Sequence, residues 1–203
     1  PLNERLDYLE THRDLVLQRD DATVELAALY NLTGRPQEAL DLVTSRRFHP
    51  WEGGEGAVLR QYTTARLLLG QAALNAGDAV TAHEHFSQAL DTPESLGEAD
   101  LPLQATADVN YWLGRSLAAQ GRAREAREHF QRSAQECGDF SEMAVAEYGP
   151  LSYYRGLSLR ELDCENRAVE LFRAMLEYAG ARLDECADID YFATSLPNLL
   201  VFD

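Results

Sequence analysis

The sequence predicts an all-α solenoid of about four helix-turn-helix repeats with extra terminal helices, and three observations predict it. The first is an internal repeat. Leu26-Ala27-x2-Tyr30-x3-Gly34-x4-Ala39-x3-Val43 returns as Leu69-Gly70-x2-Ala73-x3-Gly77-x4-Ala82-x3-Phe86 and as Leu113-Gly114-x2-Leu117-x3-Gly121-x4-Ala126-x3-Phe130. A degenerate fourth copy reads Arg155-Gly156-x2-Leu159-x3-Asp163-x4-Ala168-x3-Phe172. Small residues let two antiparallel backbones approach, the turn glycine ends the first helix, and the aromatic fills the groove beside it. The second observation is that only 13 Gly and 7 Pro occur among abundant Ala, Leu, Glu and Arg, which favours helix nearly throughout. The third is size: 203 residues at 45% hydrophobic content bury a substantial core within a single domain, 1–203.

In chain order, residues 3–18 place Leu6, Leu9 and Leu17 near helical spacing with acidic residues early, so a helix is expected there. The first repeat covers about 20–47, with helices near 21–33 and 36–46 and Pro36 in the first turn of the second. The stretch from Arg47 to Gly56 does not read as helix. The second repeat covers 57–91, with helices at 57–76 and 79–91, and Asp91 to Glu98 forms another irregular connection. The third covers 103–137, with helices at 103–120 and 123–136. Gly138 to Ser141 breaks the chain, and Ser141 is expected to N-cap a helix running to about 162, kinked or interrupted at Gly149-Pro150. A helix at 165–180 completes the fourth repeat, 141–180. The tail from Ile189 to Phe202 is too apolar to be solvated. It is expected to pack as a capping helix over about 186–203, because a solenoid end otherwise exposes its core. The opening Pro1-Leu2-Asn3, without an initiator methionine, reads as the start of a piece of something longer.

Composition excludes several function classes. Thirty-four Asp+Glu against 18 Lys+Arg give a net charge of −16. Such a surface repels phosphate backbones and anionic lipid heads, so neither nucleic acid nor membrane is expected as a partner. Solubility accounts for the charge more simply than a patch shaped for a basic partner. Cys137, Cys164 and Cys186 are odd in number and form no CxxC pair, which argues against disulfides and structural zinc and suits a reducing, cytoplasmic compartment. His83 and His85 lie roughly 200° apart on a helix and cannot share a metal. His85 and His129 hold one repeat position, each before an aromatic, which is a structural equivalence. No HExxH, GxSxG or Cys/His pair in a recognisable context occurs, so no enzyme, metal or cofactor is expected.

The segment Phe48 to Gly56 is the least ordinary. Phe48, His49, Trp51, Glu52 and Glu55 sit among three glycines, which permit a tight turn that presents side chains. Trp51 with Glu52 and Glu55 would suit a sugar or a cation. The plainer alternative, which weighs more, is that Phe48 and Trp51 plug the seam between two repeats.

The skeleton resembles the tetratricopeptide repeat (TPR) over about residues 20–180, and the resemblance implies a right-handed solenoid. Two departures stand out. The turn positions 34, 77, 121 and 163 give steps of 43, 44 and 42 instead of about 34 residues. The tryptophan-like position early in the motif holds Thr23, Arg66, Asn110 and Ser152. In TPR proteins the first helix of each repeat lines a concave groove. By position the resemblance assigns that lining to Thr64, Leu67 and Gln71, to Asp108, Tyr111 and Arg115, and to Tyr153, Leu157 and Arg160. The lysine and asparagine clamp for a peptide's terminal carboxylate is missing. Tyrosines mixed with arginine suit a polar peptide, a glycan or a neighbouring domain. More narrowly, FHPWEGGEG, PESLGEA, GDFSEM and SLPNLLVF resemble a group of bacterial multidomain proteins in which TPR repeats follow an uncharacterised, mutarotase-like β-sandwich. These resemblances imply a non-catalytic interaction scaffold, the C-terminal helical part of a larger protein, partnering a protein segment or an adjoining domain of the same chain. Two alternatives remain: a glycan site to which the 48–56 loop contributes, and self-association as a homodimer.

Overall fold

Helix boundaries fall close to where the repeat motif places them. The computed structural model describes residues 1–51, 53–98, 105–136, 139–141 and 144–183. Its elements are α1 (Leu2–Thr11), α2 (Arg13–Val16), α3 (Asp20–Leu32), α4 (Pro36–Thr44), α5 (Ala57–Asn75) and α6 (Ala79–Gln88), then a 3₁₀ turn at Glu94–Leu96. There follow α7 (Ala107–Ala119), α8 (Ala123–Gln135), strands β1 (Asp139–Ser141) and β2 (Ala144–Ala146), α9 (Pro150–Glu161) and α10 (Glu165–Leu183). The architecture is all-α and built from helix-turn-helix repeats, with one small strand pair. The chain divides into two compact units, Pro1–Leu101 and Pro102–Asp203.

Each hairpin turns in the same way. Gly34, Gly77 and Gly121 take φ of +77°, +85° and +76°, a region that costs glycine nothing. Behind each, the next amide reaches back to close the helix end: Arg35 N to Tyr30 O at 2.8 Å, Asp78 N to Ala73 O at 2.9 Å, and Arg122 N to Leu117 O at 2.9 Å. The fourth hairpin makes the same bond, from Cys164 N to Leu159 O at 2.9 Å, with Asp163 held at φ +62°.

Inside each hairpin a glycine faces an aromatic ring. A Cβ built on Gly70, Gly114 or Gly156 would lie under 3.0 Å from the ring of Phe86, Phe130 or Phe172, respectively. The first hairpin holds Ala27 and Val43 at these positions, both fully buried. Bulk removed from one helix is thus matched by bulk on the other, as a close-packed interior requires. Phe86 and Phe130 are buried, at 0% and 4% exposure. Beside them, His85 Nδ1 lies 3.3 Å from Arg66 Nη1, and His129 Nδ1 lies 3.0 Å from Asn110 Oδ1. Arg66 and Asn110 themselves share one repeat position, so the two histidines occupy matched settings. Burial, and then the Arg66 charge, hold His85 below the ordinary histidine pKa.

Two expectations need correction. Residues 3–18 form two helices, because the chain turns out of helical geometry at His12, whose ring Nδ1 donates to the Tyr8 carbonyl at 2.9 Å. Ser141 caps no helix. It pairs with Ala144 in an antiparallel strand pair, and helix begins only at Pro150. The reason lies in Gly149-Pro150: a residue before proline avoids helical geometry, Gly149 is extended (φ −156°, ψ −167°), and proline suits the first helical position. The expected capping helix at 186–203 lies outside the described residues.

Candidate functional site

The loop after α4 is fixed from both sides. Phe48 is 1% exposed and belongs to the core of its unit. The Arg46 guanidinium sits 5.2 Å over its ring, pairs with Asp20 at 2.6 Å, and donates to the Leu17 carbonyl at 2.6 Å. His49 is exposed, and its amide donates to Asp20 Oδ2 at 2.9 Å. Phe48 N donates to Ser95 O at 2.8 Å, and Arg47 pairs with Glu94 at 2.8 Å. A Cβ on Gly97 would lie under 3.0 Å from the Phe48 carbonyl. The two irregular connections that the sequence keeps apart are therefore one packed layer, which absorbs the residues beyond a shorter repeat.

Within that layer Trp51 is half-buried against the core, and Gly54 leaves no room for a Cβ beside its indole. Glu55 is exposed, and Glu52 lies outside the described residues. Phe48 thus plugs the seam, while part of Trp51, His49 and Glu55 meet water.

Two glutamates distant in sequence, Glu98 and Glu136, hold the starts of α5 and α7. The N-cap of α5 is Gly56, which has no side chain to offer, and Glu98 Oε1 takes the Val58 amide at 3.1 Å. At α7, the Glu136 carboxylate accepts from Thr106 N at 2.9 Å and from Thr106 Oγ1 at 2.8 Å. Free amides at a helix N-terminus attract an anion. Burial nevertheless pushes both carboxyls above the usual range, against those hydrogen bonds. Neither glutamate sits at a local capping spacing, so no sequence signal marks them.

The expected groove residues divide between the units. In the first, Thr64 and Gln71 are half-buried and Leu67 is buried. In the second, α7 and α9 present a run of aromatics. Tyr111 and Tyr154 rings lie 5.7 Å apart, Tyr154 and Tyr153 5.7 Å, and Tyr153 and Phe172 5.8 Å. Trp112 meets Tyr111 edge-on at 5.2 Å. Tyr111 itself is buried, packed on Phe130, so its ring is core and its hydroxyl accepts from Arg115 at 2.8 Å. Tyr153 is 50% exposed, Arg115 and Arg160 are exposed, and Asp108 and Leu157 are half-buried. Arg160 pairs with Glu165 at 3.2 Å, and Arg115 stands 3.8 Å from Glu161. All 18 basic residues of the chain are arginines, so every positive group on this surface is a planar guanidinium able to stack or to bind in a fork.

Residues 21–43, 63–88 and 109–132 match the family model described as tetratricopeptide repeat. The chain carries tetratricopeptide repeats. The matched segments are the first three hairpins; the fourth TPR-like hairpin, with Arg155 for leucine and Asp163 for glycine, lies outside them. Two solved structures, described as crystal structures of MamA and of MamA protein, are similar at 16% and 17% identity. They cover 88% and 89% of this chain and 86% and 82% of theirs, with TM-scores of 0.36 and 0.35. The assignment of TPR architecture rests on the matched segments and the hairpin geometry. Among the described residues no group of His, Cys, Asp and Glu could hold a metal, and no helix is long and apolar enough to cross a membrane.

Proposed function

We propose that this chain is a non-catalytic, protein-interaction scaffold whose α7–α9 surface holds a segment of a protein partner or of an adjoining domain. The observation that carries this reading is Tyr153, half exposed at the edge of a continuous aromatic run, on helices that also expose Arg115 and Arg160. An exposed aromatic of this kind supplies contact area at low entropic cost, and arginine and tyrosine dominate interface energetics. Among the described residues no nucleophile, base and orienting partner come together, which is compatible with a role without chemistry.

The glycan reading of the 48–56 loop keeps Trp51, His49 and Glu55 as its means, but Phe48 and the Trp51–Gly54 contact are committed to packing. Purified chain probed against an immobilised peptide library separates the two. On the scaffold reading, Tyr153→Ala and Arg160→Ala each weaken captured peptides by about tenfold, an ordinary interface effect, and Trp51→Ala leaves them bound. Peptide binding that survives both α9 substitutions would overturn the assignment of the surface.

A further inference from the structure

From α1 to the loop after α4, every arginine is engaged within the chain. Arg5 pairs with Glu25, Arg19 with Asp21, Arg35 with Glu10 and Glu38, Arg46 with Asp20, and Arg47 with Glu94. Arg13 donates to the Tyr30 hydroxyl at 2.8 Å. The carboxylates of the same helices are in excess: Glu4, Asp7, Glu10 and Asp14 face only Arg5 and Arg13 on α1 and α2. Of these, Glu4, Asp7 and Asp14 are exposed and belong to no ion pair among the described residues.

A groove of about 360 Å³ opens between α1 and α3 at this acidic end. Glu4, Arg5, Tyr8 and Leu9 line it from α1, and Glu25 from α3. A four-residue step puts Glu4 and Tyr8 on one side of the helix, one turn apart. The charge of Arg5 is met by Glu25, whereas that of Glu4 is not. Tyr8 is 64% exposed, and His12 stacks on its ring at 4.5 Å.

Other tyrosines of this chain show what such a ring takes. Arg35 lies over Tyr30 at 4.4 Å, Arg66 over Tyr62 at 5.3 Å, Arg115 over Tyr111 at 5.8 Å and Arg182 over Tyr178 at 4.9 Å. A guanidinium over a tyrosine face is held by the ring's quadrupole, and its N–H groups stay free for an acceptor at the edge. Tyr8 offers the same ring with Glu4 as the acceptor, and no guanidinium of the described residues covers it. We propose that the α1–α3 groove binds an arginine side chain of a basic protein segment, its guanidinium stacking on Tyr8 and donating to Glu4. The groove lies within the first unit, and the inference does not depend on the α7–α9 reading.

Fluorescence anisotropy of a labelled tetra-arginine peptide, titrated with the full chain at about 0.15 M salt, tests it. Saturable binding is expected, tighter than that of tetra-lysine by about threefold, because an ammonium does not stack flat. Tyr8→Leu should weaken the arginine peptide about fivefold, and Tyr8→Phe, which keeps the ring, should not. Glu4→Gln should weaken it about threefold, while Asp91→Asn, which removes one exposed charge elsewhere in the unit, should leave it unchanged. Tyr8 and Glu4 are largely exposed, so these variants keep the fold. Parent affinity in Tyr8→Leu, equal losses in Glu4→Gln and Asp91→Asn, or no saturable binding by the parent would each overturn the proposal. So would light scattering in which the parent dimerises and Tyr8→Leu does not, because a second copy would then be the occupant.

Discussion

The third and fourth hairpins share one skeleton and differ in what lies against them. Both set a glycine of the first helix on a phenylalanine of the second, and both close the turn with the same back-reaching amide. In the third, Phe130 is 4% exposed and α7 buries eight residues. In the fourth, Phe172 is half-buried, Arg155 stands where the others hold leucine, and Asp163 adopts a conformation that the others give to glycine. The local motif therefore fixes the shape of a hairpin, while its stability depends on its neighbours.

The largest expected contrast is at the aromatics. Phe130→Ala is expected to cost about 3–5 kcal/mol, the range for a fully buried phenylalanine, whereas Phe172→Ala is expected to cost about 1–2 kcal/mol from the smaller area it removes from water. Denaturant titrations of both variants check this, and equal losses would erase the distinction between the hairpins.

A middle-sized effect is expected at Glu136, and its sign follows from burial. The folded carboxyl titrates above the unfolded one, so the fold holds the proton more tightly. That advantage is fully present below the unfolded pKa and is lost as pH rises through the folded value. Thr106, the Ala107 amide and the Arg155 charge oppose the shift without cancelling it. Glu136→Gln should therefore melt higher than the parent at neutral pH, with the difference vanishing in acid. A melting difference that stays constant with pH would contradict this.

The smallest effect is at the turn. Asp163→Gly removes a left-handed, non-glycine residue and should stabilise by about 0.5–1 kcal/mol after the entropy that glycine adds to the unfolded chain. Gly121→Asp should do the reverse, and melts of the two variants sharpen the comparison.

Much of this was legible in the sequence because it is local. The turn positions, the glycine–phenylalanine spacing and the start of α4 at Pro36 follow from residues a few positions apart. Ser141 was misread as an N-cap, since it pairs with Ala144 in a strand, whereas the interruption expected at Gly149-Pro150 is where the helix begins. The packing of Phe48 on the Ser95–Gly97 segment and the capping of α5 by Glu98 join residues 40 or more positions apart, with no periodicity to announce them. For the surface, repeat position names Tyr111, Arg115 and Tyr153 alike, and it could not show that Tyr111 turns its ring into the core while the other two are exposed.

The glycine–phenylalanine contact acts as one lock, with bulk on the two helices exchangeable as Ala27 and Val43 exchange it in the first hairpin. The decisive measurement is a double-mutant cycle in the third: Gly114→Ala, Phe130→Val and the pair, compared by chemical denaturation. Gly114→Ala alone forces a methyl into the ring and should cost about 1–3 kcal/mol. In the pair the space vacated by the ring receives that methyl, so the double variant should be less destabilised than the sum of the singles by about 1 kcal/mol or more. Strict additivity of the two losses would contradict the lock.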